Sequence, residues 1–124
     1  MGMKTHIIGD GVAAMMLASM ADRIPQHEIS ILHPEGAPMA RDHMLGFWNT
    51  EGLEFAVDCS RASWSKWSIV TNTKTSVMHS EKHAYHIMHK ADFVQNARNK
   101  AEEHGVTFVD QKASRTNNEA LTFD

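Results

Sequence analysis

Apolar positions fall in short blocks along the chain, and the period of the blocks changes. Lys4-Thr5-His6-Ile7-Ile8 is short, β-leaning and stopped by Gly9, which predicts a strand. Val12 to Ile24 is rich in Ala, Met and Leu and has no internal Gly or Pro, which predicts a helix. Pro25 follows where a finished helix tolerates proline. Glu28-Ile29-Ser30-Ile31-Leu32 alternates and then runs apolar, as a second strand would. Strand, glycine turn, helix and strand in this order make a βαβ unit, which requires a parallel pair and a crossover.

His33 to Gly46 holds Pro34, Gly36 and Pro38 and reads as a loop ending near Phe47-Trp48. Asn49 to Ala62 carries no clear period. Trp64 to Val70 and Thr75 to His79 predict strands with a turn at Asn72. Ala91 to His104 predicts a second long helix, with Phe93, Val94, Ala97 and Ala101 at helical spacing and Gly105 as its stop. Val106 to Val109 predicts a strand. The tail from Lys112 alternates on both sides of Asn117-Asn118, the pattern of a hairpin. There is no internal repeat and no linker-like stretch.

The chemistry-bearing signal is Gly9-Asp10-Gly11-Val12-Ala13-Ala14, a G-x-G-x-x-A run between the first strand and the first helix. Gly9 permits a tight turn, Gly11 lets a pyrophosphate approach the backbone, and Ala14 allows close packing of helix on strand. The helix N-terminus adds unpaired N–H groups and partial positive charge. The alternative is a tight βα turn that binds nothing. At the end of the second strand, where an acid would accept a hydrogen bond from the adenosine ribose, stands His33. Either Glu35 substitutes from the loop, or His33 itself bonds the ribose through a ring nitrogen. The turn alone does not decide between NAD and FAD.

Composition narrows the classes further. The 124 residues allow one domain, and the 42% hydrophobic and 22% charged fractions are those of a globular chain. A net charge of −3 argues against nucleic acid as a partner. No apolar run reaches the roughly 20 residues of a membrane span, and no signal-peptide pattern opens the chain. Cys59 is the sole cysteine, which excludes an internal disulfide and a cysteine zinc cage and fits a cytoplasmic setting. It is read as inert packing or a surface thiol.

Ile7-Ile8-Gly9-Asp10-Gly11-Val12-Ala13-Ala14-Met15-Met16-Leu17-Ala18 resembles the N-terminus of FAD-dependent oxidoreductases of the glutathione-reductase-like fold. His43-Met44-Leu45-Gly46-Phe47-Trp48 and the tryptophan-bearing Trp64 to Val70 are similar to segments of bacterial lycopene cyclases. Tyr85-His86-Ile87, Lys90-Ala91-Asp92-Phe93 and Gly105-Val106 resemble a passage shared with flavin hydroxylases and tryptophan halogenases. Lys90 stands where that passage usually has Arg. The resemblance implies an α/β fold, a Rossmann-like FAD/NAD(P)-binding domain of three layers around a parallel sheet, incomplete and occupying residues 1–124 as one partial domain.

It implies FAD, with NAD(P) second, held at Gly9, Asp10, Gly11, Val12, Ala13 and Ala14, with His33 and Glu35 on the ribose side and Phe47 and Trp48 near the flavin. The implied activity is redox-neutral cyclisation of a carotenoid end group. Its protonating acid falls outside this chain, so no catalytic residue is named. Other flavin or NAD(P) oxidoreductases, monooxygenase or halogenase among them, form a second expectation. A non-catalytic subunit that has lost the cofactor forms a third. Family members are much longer, so the chain reads as a truncated product, a split half awaiting a partner chain, or a degenerate relative. An unfinished sheet edge would favour association, homo-oligomers included. A carotenoid substrate would add peripheral membrane contact.

Four histidines, His79, His83, His86 and His89, would stripe a helix and could ligate a metal. Their surroundings favour strands, so scattered surface histidines are expected and no metal site is assigned. Trp64 and Trp67 suit a core or interface as well as a flavin or polyene, and Tyr85 suits a half-buried strand as well as a flavin contact. Nine methionines suit a soft core or an apolar groove.

Overall fold

The parallel pair predicted at the N-terminus is present in the computed structural model, which describes residues 2–34, 36, 41–115 and 121–123. In chain order, strand β1 is Met3–Ile8, helix α1 Val12–Ser19, and a 3-10 turn Ala21–Arg23 leads to β2, His27–Leu32. Then come β3 (Met44–Trp48), α2 (Glu54–Asp58), β4 (Ala62–Trp64), β5 (Lys66–Val70), β6 (Thr75–His79) and β7 (Tyr85–His89). Helix α3 (Lys90–Glu103) follows, then β8 (Thr107–Val109), β9 (Ala113–Arg115) and β10 (Leu121–Phe123). Contacts divide the chain into two compact units, Met1–Arg41 with Val94–Asp124, and Asp42–Phe93.

The first unit is built on a parallel sheet in the order β1-β2-β8. Met3 pairs with His27 and Ile8 with Leu32, while Ser30 pairs with Thr107 and Leu32 with Val109. The central strand β2 buries Ile29, Ile31 and Leu32, as a strand flanked on both edges should. Helix α1 buries Met15, Ala18 and Ser19, and the α3 segment of this unit buries Ala97 and Ala101, one turn apart. The end of α3 forms a Schellman motif. Gly105, at φ +83°, donates to Glu102 O, and Val106 N donates to Ala101 O. The tail forms the expected antiparallel pair, β9 with β10; Asn117 and Asn118 lie outside the described residues.

The second unit is antiparallel in its described strands. Its sheet has the order β3-β7-β4, and β5 pairs with β6 in a hairpin. Opposed residues share a face, so His86 stands opposite Phe47 and Ser63, while Tyr85 stands opposite Trp48 and Trp64. One face buries His86 and Met88; the other leaves Trp48 and Trp64 about half exposed. Phe93, 2% exposed, meets the edge of Phe55 at 5.7 Å between centroids.

Four expectations change. The first helix stops at Ser19 rather than Ile24. Ser19 Oγ donates to Met16 O, and Met20 N bonds Leu17 O, so the last turn tightens to the 3-10 form. The loop expected to reach Gly46 ends earlier, because β3 starts at Met44 and pairs along its length with β7. Gly46, read as part of a loop, sits inside that strand. The single strand expected from Trp64 to Val70 breaks at Ser65: β4 pairs with β7 and β5 with β6. Helix α2 lies where no period was readable; its five residues are too few to show one.

Candidate functional site

The three parallel strands end level with one another at their carboxyl ends. Gly9 N donates to Leu32 O at 2.9 Å and His33 N donates to Val109 O at 3.0 Å, so each ladder runs one residue past its strand. Ligands of open parallel sheets bind outside such an edge. The glycine turn leaves β1 there. Gly9 is at φ +94°, a backbone region closed to most side chains. Gly11 is the N-cap of α1 at φ −66° and ψ 176°, an extended conformation open to any residue, and a Cβ built on it meets nothing within 4 Å.

Helix α1 begins with unsatisfied donors. Gly11 O accepts from Met15 N at 2.9 Å, so the amides of Val12, Ala13 and Ala14 precede the first intrahelical bond. No side chain caps them, and the first turn holds no acidic residue. These amides face the end of the helix where partial positive charge gathers.

Asp10 lies between the two glycines, and its Oδ1 stands 3.5 Å from His33 Nε2, with the side chains 43% and 36% exposed. Sequence reasoning named both residues but not their pairing, which only the parallel register of β1 and β2 creates. Asp10 and His33 line a cleft of about 200 Å³ with Arg98, Phe108 and Asp110. The Arg98 guanidinium lies 4.1 Å above the Phe108 ring and bonds Glu102 at 3.1 Å. Arg98 and Asp110 were missed. Asp110 has a readable signal, its place one residue after a predicted strand; Arg98 has none, because only the packing of α3 on β8 brings it there.

Glu35, the other ribose-side candidate, lies outside the described residues. Phe47 and Trp48 belong to the second unit and, as neighbours in β3, point to opposite faces. Phe47 stacks on His86 at 5.4 Å and 16°, and His86 Nδ1 is 3.1 Å from Ser60 Oγ. Trp48 meets Tyr85 edge-on at 5.0 Å and Trp67 at 6.2 Å. Gly46 permits this arrangement, since a Cβ there would run into the Tyr85 ring.

The histidines of this unit take separate partners: His79 faces Glu81, His83 faces Asn49 O, and His89 faces Asp42. Among the described residues no three His, Cys, Asp or Glu side chains converge as a metal site would require. No helix of the described residues is long and apolar enough to cross a membrane. Cys59 is buried.

A cradle of backbone donors, a glycine with open space above its Cα, and an open cleft beside it fit the ADP half of a dinucleotide. Comparison with solved structures places the fold. The 2-methyl-3-hydroxypyridine-5-carboxylic acid oxygenase superposes with a TM-score of 0.69 at 14% identity, over 98% of this chain and 37% of that one. CtdE, solved with FAD and a substrate, gives 0.60 at 14% identity over 91% and 31%. The 2,6-dihydroxypyridine-3-hydroxylase of Arthrobacter nicotinovorans gives 0.58 at 8% identity over 99% and 35%. This chain therefore has the α/β fold of part of these proteins and spans about a third of their length. No curated protein matches it in sequence. The family model described as "Lycopene cyclase protein" matches residues 5–122, and the chain belongs to the lycopene cyclase family.

Proposed function

We propose that residues 1–124 form a single, partial FAD-binding domain of a flavoprotein that cyclises the end group of a carotenoid without net redox change. The observation that carries this reading is Gly11. Its backbone is ordinary and its Cβ position is empty, so the fold does not ask for glycine there. A pyrophosphate lying on the turn does ask for it. Val12, Ala13 and Ala14 donate their amides to the phosphates, and Gly9 turns the chain under them. His33 stands at the ribose, with Glu35 as the loop alternative, and Phe47 and Trp48 remain the proposed flavin-side residues. Reduced FAD, when bound, supplies charge stabilisation to the cyclising end group. The protonating acid and the rest of the flavin pocket belong to chain beyond this segment or to a partner, and oligomer formation would cover the exposed apolar surface.

A flavin-dependent oxygenase is the second reading, favoured by the names of the structural neighbours. A purified chain titrated with FAD tests the cofactor reading. Micromolar binding that Gly11→Val weakens roughly tenfold or more supports it. Equal binding by the wild type and Gly11→Val overturns the role of the turn, and no binding by a demonstrably folded chain overturns cofactor binding by this chain alone. Turnover of lycopene against hydroxylation of an aromatic acid, measured with the complete flavoprotein, separates the two activities.

A further inference from the structure

We infer that the outer edge of β1, Met3–Ile8, receives a further parallel strand from the part of the flavoprotein beyond this chain, and that this strand walls the open side of the glycine turn. The inference rests on the reading above that the flavoprotein extends past these residues. It concerns the sheet and does not depend on which cofactor binds.

Among the described strands, β1 stands at one end of the sheet β1-β2-β8. Met3 N donates to Gln26 O and Gly9 N to Leu32 O, so the odd-numbered residues of β1 turn their amides toward β2. The even-numbered residues, Lys4 and Ile8 among them, turn theirs to the outer side. Natural edge strands are blunted by shortness, proline, bulges or charge. At the opposite edge, β8 is only three residues long. β1 is six residues long, pairs with β2 without a break, and holds no proline and a single lysine. Its outer edge is open to pairing.

β1 and the helix that follows it have the composition of interior elements. Helix α1 contains no charged side chain, and its one hydroxyl, on Ser19, is turned back onto Met16 O. A helix that is apolar on every side belongs inside a protein. Here Leu17 is 45% exposed, and Met3 and Ile8 of β1 are 62% and 57% exposed. Helix α3 differs: Gln95, Arg98, Asn99 and Glu102 give it the polar side of an ordinary surface helix. The first unit therefore finishes its surface at α3 and leaves it unfinished at β1 and α1.

The sheet also says what the occupant is. Both of its ladders are parallel, and the order β8-β2-β1 is one half of a doubly wound sheet, whose other half continues on the far side of the first strand. The chain spans about a third of the length of the proteins that share its fold, so a second half has chain to come from. A second copy related by a two-fold axis would instead lay β1 against β1 antiparallel. Ligands of such sheets sit at the switch point, where connections leave neighbouring strands in opposite directions. The carboxyl end of β1, where Gly9 turns the chain, becomes that point only with a strand on its outer edge. The carboxyl end of the incoming strand then stands beside the turn.

Amide hydrogen exchange resolved by residue tests this, on residues 1–124 alone and on the complete flavoprotein. Thr5 and Ile7, which face β2, should be protected in both. Lys4 and Ile8 should exchange fast in the chain alone and roughly a hundredfold more slowly in the complete protein. Lys4→Pro removes a donor on the outer side only, so it should leave the melting of the chain alone nearly unchanged and lower that of the complete protein. Fast exchange of Lys4 and Ile8 in the complete protein, or a complete protein as stable with Lys4→Pro as without it, overturns the inference. So does protection of Lys4 and Ile8 in the chain alone, which, if it rises with concentration, assigns the edge to a second copy. None of these results touches the dinucleotide reading, which the FAD titration decides. A chain found in cell extract as a monomer of its own mass overturns both the inference and the reading of a longer flavoprotein on which it rests.

Discussion

The ring of Tyr85 occupies the space that a side chain at Gly46 would need. A Cβ built on Gly46 stands 2.6 Å from Tyr85 Cζ and closer still to the hydroxyl oxygen, across the antiparallel pairing of β3 and β7. Gly46→Ala should therefore destabilise the protein by about 2 kcal/mol, in the range of overpacked cores. Urea unfolding measures it. Adding Tyr85→Ala to Gly46→Ala should restore part of the loss, whereas additive costs would show that the two residues do not meet.

Gly9 and Gly11 should respond to different degrees. Gly9→Ala forces a side chain into φ +94° and should cost about 1–2 kcal/mol of stability. Gly11→Ala adds a Cβ to open space and should cost less than about 1 kcal/mol. Thermal melting of the two variants checks the order. A larger loss at Gly11 would mean that its glycine serves the fold rather than a ligand.

Asp42 caps helix α3 from outside it. Its Oδ1 accepts from Ala91 N at 3.1 Å, and Oδ2 lies 3.8 Å from His89 Nδ1. Arg61 reaches Asp92 at 2.8 and 3.0 Å, but both side chains are largely solvated. Asp42→Ala should lose about 1 kcal/mol as a cap does. Arg61→Ala should lose less than about 1 kcal/mol, as exposed pairs do. Denaturation midpoints of the two variants, at low and high salt, rank them.

Ala97 and Ala101, both 0% exposed, present the small side of α3 to the interior of the first unit. Ala97→Leu adds volume where there is none to give and should cost about 1–3 kcal/mol. A chain as stable as wild type would show that the helix is free to shift. Lowered FAD affinity in this variant, with the turn untouched, would report displacement of Arg98 on the next position.

Much of the candidate site was legible because its parts are local. Ile7-Ile8, the G-x-G-x-x-A run and the Ala-rich helix are contiguous, so strand, turn and helix N-terminus follow from propensity and backbone geometry. Gly105 as the stop of α3 followed for the same reason. Family membership was legible too, since Phe47-Trp48 and Trp64 carry the family's pattern in short runs, while Tyr85-His86-Ile87 marks the wider group of flavoproteins.

The rest depends on residues far apart in the chain. β3 exists because Met44–Trp48 finds Tyr85–His89, and no window of the sequence contains both. Ser65 divides a run of strand formers because its two sides pair with different partners. Asp10 meets His33 only through the register of Met3–Ile8 on His27–Leu32, and Arg98 and Asp110 reach the same cleft only when β8 joins β2. The sequence alone thus determined the turn between strand and helix, through steric rules that act over a few residues. Tertiary structure decided which charges stand beside that turn, because pairing across strands brings together groups that chain order keeps apart.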